Sequence, residues 1–228
     1  KGYMKGNRKV EEVFNLLRRS IDPQTIYKKQ KFDRDDIIDI TSFDVVAWIK
    51  GEMRIMLDEE LARAILVGDG RLSTDPDKIK EDHIKPIAKD DPLFVITVSI
   101  AGDITAVGKA IPDEVTLAFD EYKGSGNPIC FMRQDIHTRA LIQKDGLGYR
   151  LYKTDAELAT AMMVDRIVNV PKDIMGDDIY AIIINLSDYT VGKDKGGAIE
   201  LFDDFDIDYN QYKYLIETRC SGMITKPL

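Results

Sequence analysis

The stretch from Thr41 to Gly70, "TSFDVVAWIKGEMRIMLDEELARAILVGDG", limits the possible folds more than any other part of the chain. Val46, Ile49, Met53, Met56 or Leu57, Glu60 or Leu61, and Ala64 recur on one helical stripe, and Thr41 with Asp44 has capping-box spacing. Gly68-Asp69-Gly70 then stops the helix. A helix of about 25 residues is about 37 Å long, well beyond the usual globular length. Such an element must lie across a broad sheet or along an assembly axis, so it is expected to act as a spine.

Around the spine the pattern predicts an α+β chain. Upstream, "PQTIYKKQKFDRDDIIDI" alternates and is rich in charge, which predicts one or two extended strands feeding the spine. Val10, Val13, Phe14 and Leu17 have helical spacing over too short a run to assign. Downstream, "GRLSTDPDKIKEDHIKPIAKDDP" is polar and proline-punctuated, as expected of an irregular connection. A strand "LFVITVSI", a helix from Pro112 to Tyr122, a turn "KGSGN" and a buried strand "PICFM" are expected next. They are followed by helices at Gln134 to Gln143 and about Asp155 to Met163, a strand "RIVNV", and an apolar run "YAIIINL" with the character of a central strand. Two long alternating strands, about Ala198 to Asp208 and Asn210 to Met223, close the chain, and no internal repeat is present.

Composition narrows the function classes. The 228 residues are 44% hydrophobic, ample for a core, and no apolar run reaches the about 18 residues that would span a bilayer. No membrane partner is expected, and the first segment, "KGYMKGNRKV", lacks the apolar core of a signal peptide. Because the first residue is Lys, the sequence reads as a piece of a longer chain. A net charge of -8 argues against a broad phosphate-gripping surface. Cys130 and Cys220 read as reduced structural cysteines of a protein made in a reducing cytoplasm. His83 and His137 lack partners at zinc-ligand spacing and read as surface or strand-edge residues, and no hydrolase or metalloprotease motif is present. "GK" at Gly108 and Lys109 is one residue out of register with Gly102 for a phosphate loop, and Ala110 replaces the required hydroxyl. "GSG" at Gly124 to Gly126 follows a helix instead of opening one. No cofactor and no metal are expected.

The segment "FDIDYNQYKYLIETRC" carries the sharpest alternatives. Counted from Asp206, it places Asp208, Asn210 and Glu217 at positions three, five and twelve of a calcium loop. Position six must be Gly for the sharp turn, and it is Gln211, while Tyr212, Tyr214 and Ile216 alternate with Lys213, Leu215 and Glu217 as in a strand. A strand is therefore expected. The acidic run Asp203, Asp204, Asp206 and Asp208 could serve a metal-dependent hydrolase if its carboxylates converged. Strand alternation instead puts Asp204, Asp206 and Asp208 on one face and Phe205, Ile207 and Tyr209 on the other.

Taken together, "PQTIYKKQKFDRDDIIDI" leading into "AWIKGEMRIMLDEELARAILVGDGR", then "CFMRQDIHTRALIQKDGLGYRLY" and "AIELFDDFDIDYNQYKYLIETRCSGMITKP", resemble a major capsid protein of tailed bacteriophages. This is the family with the Hong Kong 97-type fold, and the resemblance covers nearly the whole chain. It implies a non-enzymatic, phage- or prophage-encoded protein that self-assembles as hexamers and pentamers into an icosahedral shell around double-stranded DNA, without sequence-specific binding. The implied place is the virion capsid, after synthesis in the bacterial host cytoplasm. A scaffolding segment or protein, a maturation protease and a portal are the implied partners. The nearest alternative of the same fold is an encapsulin-type compartment enclosing an enzyme.

The resemblance also implies a division of the chain. Residues 1–20 would be part of an extended loop, 21–88 a peripheral domain with its spine helix at 43–67, 89–201 an axial domain, and 202–228 the return strand of the peripheral domain. The founding member welds subunits by an isopeptide bond between an extended-loop lysine and an asparagine of the last long strand, assisted by a glutamate seven residues on. Asn210 and Glu217 occupy the matching positions, and Lys1, Lys5 and Lys9 are the lysines of the corresponding loop. The chemistry needs a base for the lysine proton, which a desolvated carboxylate can supply.

Overall fold

The spine forms where its apolar stripe requires it. A computed structural model describes residues 18–40, 44–124, 126–193 and 199–227. In chain order the elements are β1 (Gln24–Asp33), α1 (Arg34–Asp39), α2 (Val45–Leu66), α3 (Ile104–Ala118), β2 (Ile129–Arg133), α4 (Gln134–Leu141), α5 (Asp155–Ala161), β3 (Ile167–Val170), α6 (Lys172–Met175), β4 (Ala181–Ile184), β5 (Tyr189–Lys193), β6 (Glu200–Asp206) and β7 (Gln211–Ile224). The spine is α2, whose 22 residues make it about 33 Å long. Asp44 is its N-cap, accepting the amide of Ala47 at 3.0 Å, while the expected capping partner Thr41 lies outside the described residues.

Val45, Ile49, Met53, Leu57 and Ala64 of α2 are buried against a four-stranded antiparallel sheet. Its path is β1-β7-β5, with β6 also pairing β7. Ile26 of β1 and Tyr214, Ile216 and Cys220 of β7 complete this first core. Leu57 and not Met56 takes the buried position, and Met56 is left exposed. Just past α2, Asp69 is fully buried and accepts the amides of Ile79 at 2.7 Å and Arg71 at 3.1 Å. Lys78 Nζ lies 3.3 Å from the same carboxylate. Burial alone would raise the Asp69 pKa, but the two amides and Lys78 hold its carboxyl below the usual carboxylate range. That knot ties the end of the spine to the irregular connection, which reaches β7 through the amide of Lys85 on the Gly222 carbonyl at 2.8 Å.

The second sheet has the order β3-β2-β4, with β3 parallel and β4 antiparallel to β2. Helices α3, α4 and α5 pack on it around Val107, Ile111, Cys130, Met132, Ile136 and Leu158. A third cluster, including Leu66, Ile87, Phe94, Ile182, Tyr189 and Ile224, joins the spine's end to the second sheet and to β5 and β7. Cys130 is fully buried, which pushes its thiol pKa up to about 12, and both described cysteines are free.

Several expectations need correction. "RDDIIDI" is not strand: Asp33, the last residue of β1, caps α1 by accepting the Asp35 amide, so β1 ends where the carboxylate offers a helix start. "LFVITVSI" runs without strand pairing among the described residues, its β propensity finding no ladder partner. The helix expected from Pro112 begins at Ile104, capped by Asp103, and Pro112 lies inside it. "YAIIINL" supplies an edge strand, and β2 is the central one. His137 is buried in α4, with Nε2 3.1 Å from Asp155 Oδ1, and is no surface residue.

Candidate subunit-contact surface

Strand alternation divides the first sheet into two faces. Residues directly opposite in a ladder share a face, so the side of β7 turned away from α2 can be read from its register. Lys213, Leu215, Glu217 and Arg219 lie opposite Lys31, Lys29, Tyr27 and Thr25 of β1. On the other flank, Lys213, Leu215 and Glu217 lie opposite Asp204, Phe202 and Glu200 of β6. This outer face carries interleaved opposite charges around Tyr27, Leu215 and Phe202, and both Tyr27 and Phe202 are exposed.

The acidic run has a structural task there. Lys31 and Lys213 stand directly opposite each other, an arrangement that is destabilising by itself. Asp204 faces Lys213 in the ladder, and Asp206 makes an ion pair with Lys213. The Lys213 side chain holds the Asp206 carboxyl below its usual range, and Asp206 in turn raises the Lys213 ammonium. Asp203 points to the opposite face and meets Lys50 of α2 at 3.2 Å. Asp208 lies beyond the strand, its amide donating to Asp206 Oδ1 at 3.2 Å. The four carboxylates therefore do not converge, and among the described residues no group of three or more His, Cys, Asp or Glu side chains could hold a metal ion.

Asn210 and Glu217 are not brought together within one copy. Asn210 closes the β6–β7 turn with a φ of 52°, a left-handed conformation that Asn tolerates. Its carbonyl accepts the Arg34 amide at 3.0 Å, and its Nδ2 donates to Asp35 Oδ1 at 3.4 Å, fastening the turn to α1. Glu217 is half-buried mid-strand between Tyr27 and Glu200. Seven residues of extended chain separate the two by about 23 Å. Lys1, Lys5 and Lys9 lie outside the described residues. Sequence reasoning missed the ion-pair partners Lys50 and Lys213 and the turn role of Asn210; the left-handed tolerance of Asn after "DIDY" is the signal that could have indicated the turn.

No protein-family model matches the chain, and no curated protein sequence matches it. Solved structures do. A chain of Mycobacterium phage Ogopogo superposes with a TM-score of 0.60 at 15% identity, covering 90% of this chain and 72% of that one. A chain from the capsid of a native GTA particle gives 0.59 at 13% identity, with 90% and 69% covered. One of Mycobacterium phage Adephagia gives 0.56 at 10% identity, with 89% of this chain covered, and this chain spans 66% of that chain's length. At these identities the likeness establishes the fold. It is the α+β architecture of phage and GTA-particle chains, the Hong Kong 97-type fold expected from the sequence.

Proposed function

We propose that this chain is a structural major capsid protein, encoded by a phage or prophage, whose copies assemble as hexamers and pentamers into a closed icosahedral shell around double-stranded DNA. The observation that carries the reading is the superposition of 90% of the chain on a chain of the GTA capsid. The mixed-charge outer face supports it, because many weak, register-setting contacts suit a shell whose closure adds them together. A net charge of -8 suits a container that must pack and release an anionic polymer. The divided acidic run gives a metal-dependent hydrolase no support. A scaffolding segment or protein, a maturation protease and a portal complete the proposed assembly, which ends in the virion after synthesis in the host cytoplasm.

The proposed peripheral domain comprises residues 21–88 and 202–228, and the axial domain residues 89–201, with β5 reaching across to pair β7. Residues 1–20 would belong to the extended loop. The separation of Asn210 from Glu217 implies that any weld joins different copies. A lysine amine would attack the Asn210 side-chain carbon, ammonia would leave as the new amide forms, and Glu217 of another copy would take the lysine proton. Denaturing electrophoresis of mature particles tests the weld: a ladder of multimers supports it, and a single monomer band refutes it. Electron microscopy of the full-length product tests the shell, since a uniformly monomeric protein would refute the function. Nuclease-protected DNA inside purified particles distinguishes a phage shell from a compartment that encloses an enzyme.

A further inference from the structure

Two features of the second sheet and its helices are complementary in apolar character and in charge. The first is a projecting turn after α4. The Asp145 amide donates to the Tyr149 carbonyl at 2.8 Å, and the Asp145 carboxylate accepts the amides of Leu147 and Tyr149, both at 2.9 Å. Gly148 takes the left-handed conformation that closes the turn, at φ 89°, and a β-bridge joins Lys144 to Arg150 at its base. Gln143 Nε2 anchors the base to the Gly108 carbonyl of α3 at 2.8 Å. This well-fastened tip presents Leu147 at 84% exposure and Tyr149 at 71%. Lys144 and Arg150 outnumber the Asp145 carboxylate, so the loop is net positive.

The second feature is an apolar groove of about 470 Å³, a size within the range of protein ligand pockets. It is lined by Ile96 and Val98 of the unpaired extended segment, Val115 of α3 with Phe119 at that helix's C-cap, and Ile183 of the edge strand β4. Its lining also includes Glu114, Asp178 and Asp188 against a single basic residue, Lys226. The groove is thus apolar inside and mainly acidic among its charged groups, and the projecting turn is apolar at the tip and basic at the base.

We infer that the Leu147–Tyr149 tip of one copy docks in the apolar groove of a second copy, with Lys144 and Arg150 facing its acidic residues. A knob and a hole at different places on one subunit make a heterologous contact, which closes into a ring when the rotation per copy permits. This contact rests on the shell-forming function proposed above and adds the residues that would join neighbours within a ring.

Cross-linking in assembled particles tests it. Full-length chains carrying Leu147→Cys are co-assembled with chains carrying Val98→Cys or Ile183→Cys, then treated with a mild thiol oxidant. Cys130 and Cys220 are buried and contribute little background. A disulfide-linked dimer from each mixture, absent when either variant is assembled alone, is the expected result. Closed shells without the dimer overturn the contact, whether the groove thiols react with maleimide, meaning an open groove, or are shielded, meaning a different occupant. As an independent variant, Leu147→Asp should keep the far-ultraviolet circular dichroism of the wild type and lose shell formation; wild-type yields of shells would overturn the contact. Failure of the unmodified full-length chain to form any shell would overturn the proposed function itself, which closed shells lacking the cross-link would leave standing.

Discussion

The same substitution at two helical glycines should move stability in opposite directions. Gly108 lies in α3 where that helix crosses α4, and a Cβ built there would sit 2.5 Å from the Arg139 Cβ, 3.4 Å from the Ile136 carbonyl oxygen and 3.5 Å from the Ala140 nitrogen. Carbon atoms pack best at about 3.5–4.0 Å, so Gly108→Ala forces the two helices apart by about 1 Å. The obstructing atoms belong to the backbone and to a Cβ, so no side-chain rotation relieves them. Overpacking of this kind costs about 1–3 kcal/mol, while replacing a helical glycine by alanine returns about 1 kcal/mol. With rigid atoms on the contact the upper part of that range applies, leaving a net loss of about 1–2 kcal/mol. For a chain of this size that is a fall in Tm of about 2–8 °C. Gly51, in the middle of α2, has nothing within 4 Å of the corresponding Cβ. Gly51→Ala should therefore stabilise by about 1 kcal/mol and raise Tm by about 2–4 °C. Thermal and urea unfolding of the unassembled subunit reads both. A Gly108→Ala variant as stable as the wild type would refute the tight α3–α4 crossing, and a destabilised Gly51→Ala would refute the open helix surface.

Asp69→Asn should cost about 2–4 kcal/mol at neutral pH, since it removes a buried charge from Lys78 and Arg71 and weakens the acceptor of two amides. Because the folded Asp69 carboxyl is held below its usual range, its stabilisation is present at neutral pH and is lost as the pH falls through and below the ordinary carboxylate range. The variant should show a shallower loss of Tm between about pH 5 and pH 2, and a slope equal to the wild type's would refute the assignment. Arg19 bonds Asp90 at 2.5 Å and the Ile224 carbonyl at 2.8 Å, and its guanidinium stacks 3.9 Å from the centre of the Phe94 ring. Arg19→Ala leaves the buried Asp90 without that partner and should cost about 3 kcal/mol, lowering Tm by about 6–12 °C; a loss under about 1 kcal/mol by urea unfolding would show that the contact contributes little.

The spine was legible because helical periodicity is local: Ile49, Met53 and Ala64 sit on the buried stripe as their spacing predicts. What the sequence hid was decided by partners distant in the chain. "LFVITVSI" has the residues of a strand, but a strand exists only where a ladder partner is available, and among the described residues none pairs with it. "YAIIINL" is apolar enough for a centre strand, yet its burial comes from the second and third core clusters, and among the described residues it has one neighbour in the sheet. The end of β1 turned on a single carboxylate, Asp33, whose cap starts α1. At the candidate surface, the faces of Asp204 and Asp206 follow from alternation, but their meaning needed Lys31 and Lys213, which the register of three strands brings together.

That register explains why so acidic a segment can form the rim of a sheet. Lys31 opposite Lys213 would destabilise β1 against β7, and Asp204 and Asp206 on the neighbouring strand offset both charges. The compensation is local and exposed, so each pair contributes little energy and remains sensitive to salt. A surface of this kind favours partners in the correct register and releases them readily, whereas the exposed apolar pair Leu147 and Tyr149 provides the area that charge pairs lack. Under the proposed function the two kinds of contact divide the work: apolar docking supplies affinity within a ring, and the mixed-charge sheet sets register between neighbours while permitting rearrangement. Raising salt should therefore loosen contacts across the sheet before it disturbs the rings, and isolated rings surviving in high salt are the product expected by electron microscopy. Dissociation straight to single subunits, with no ring intermediate, would contradict that division.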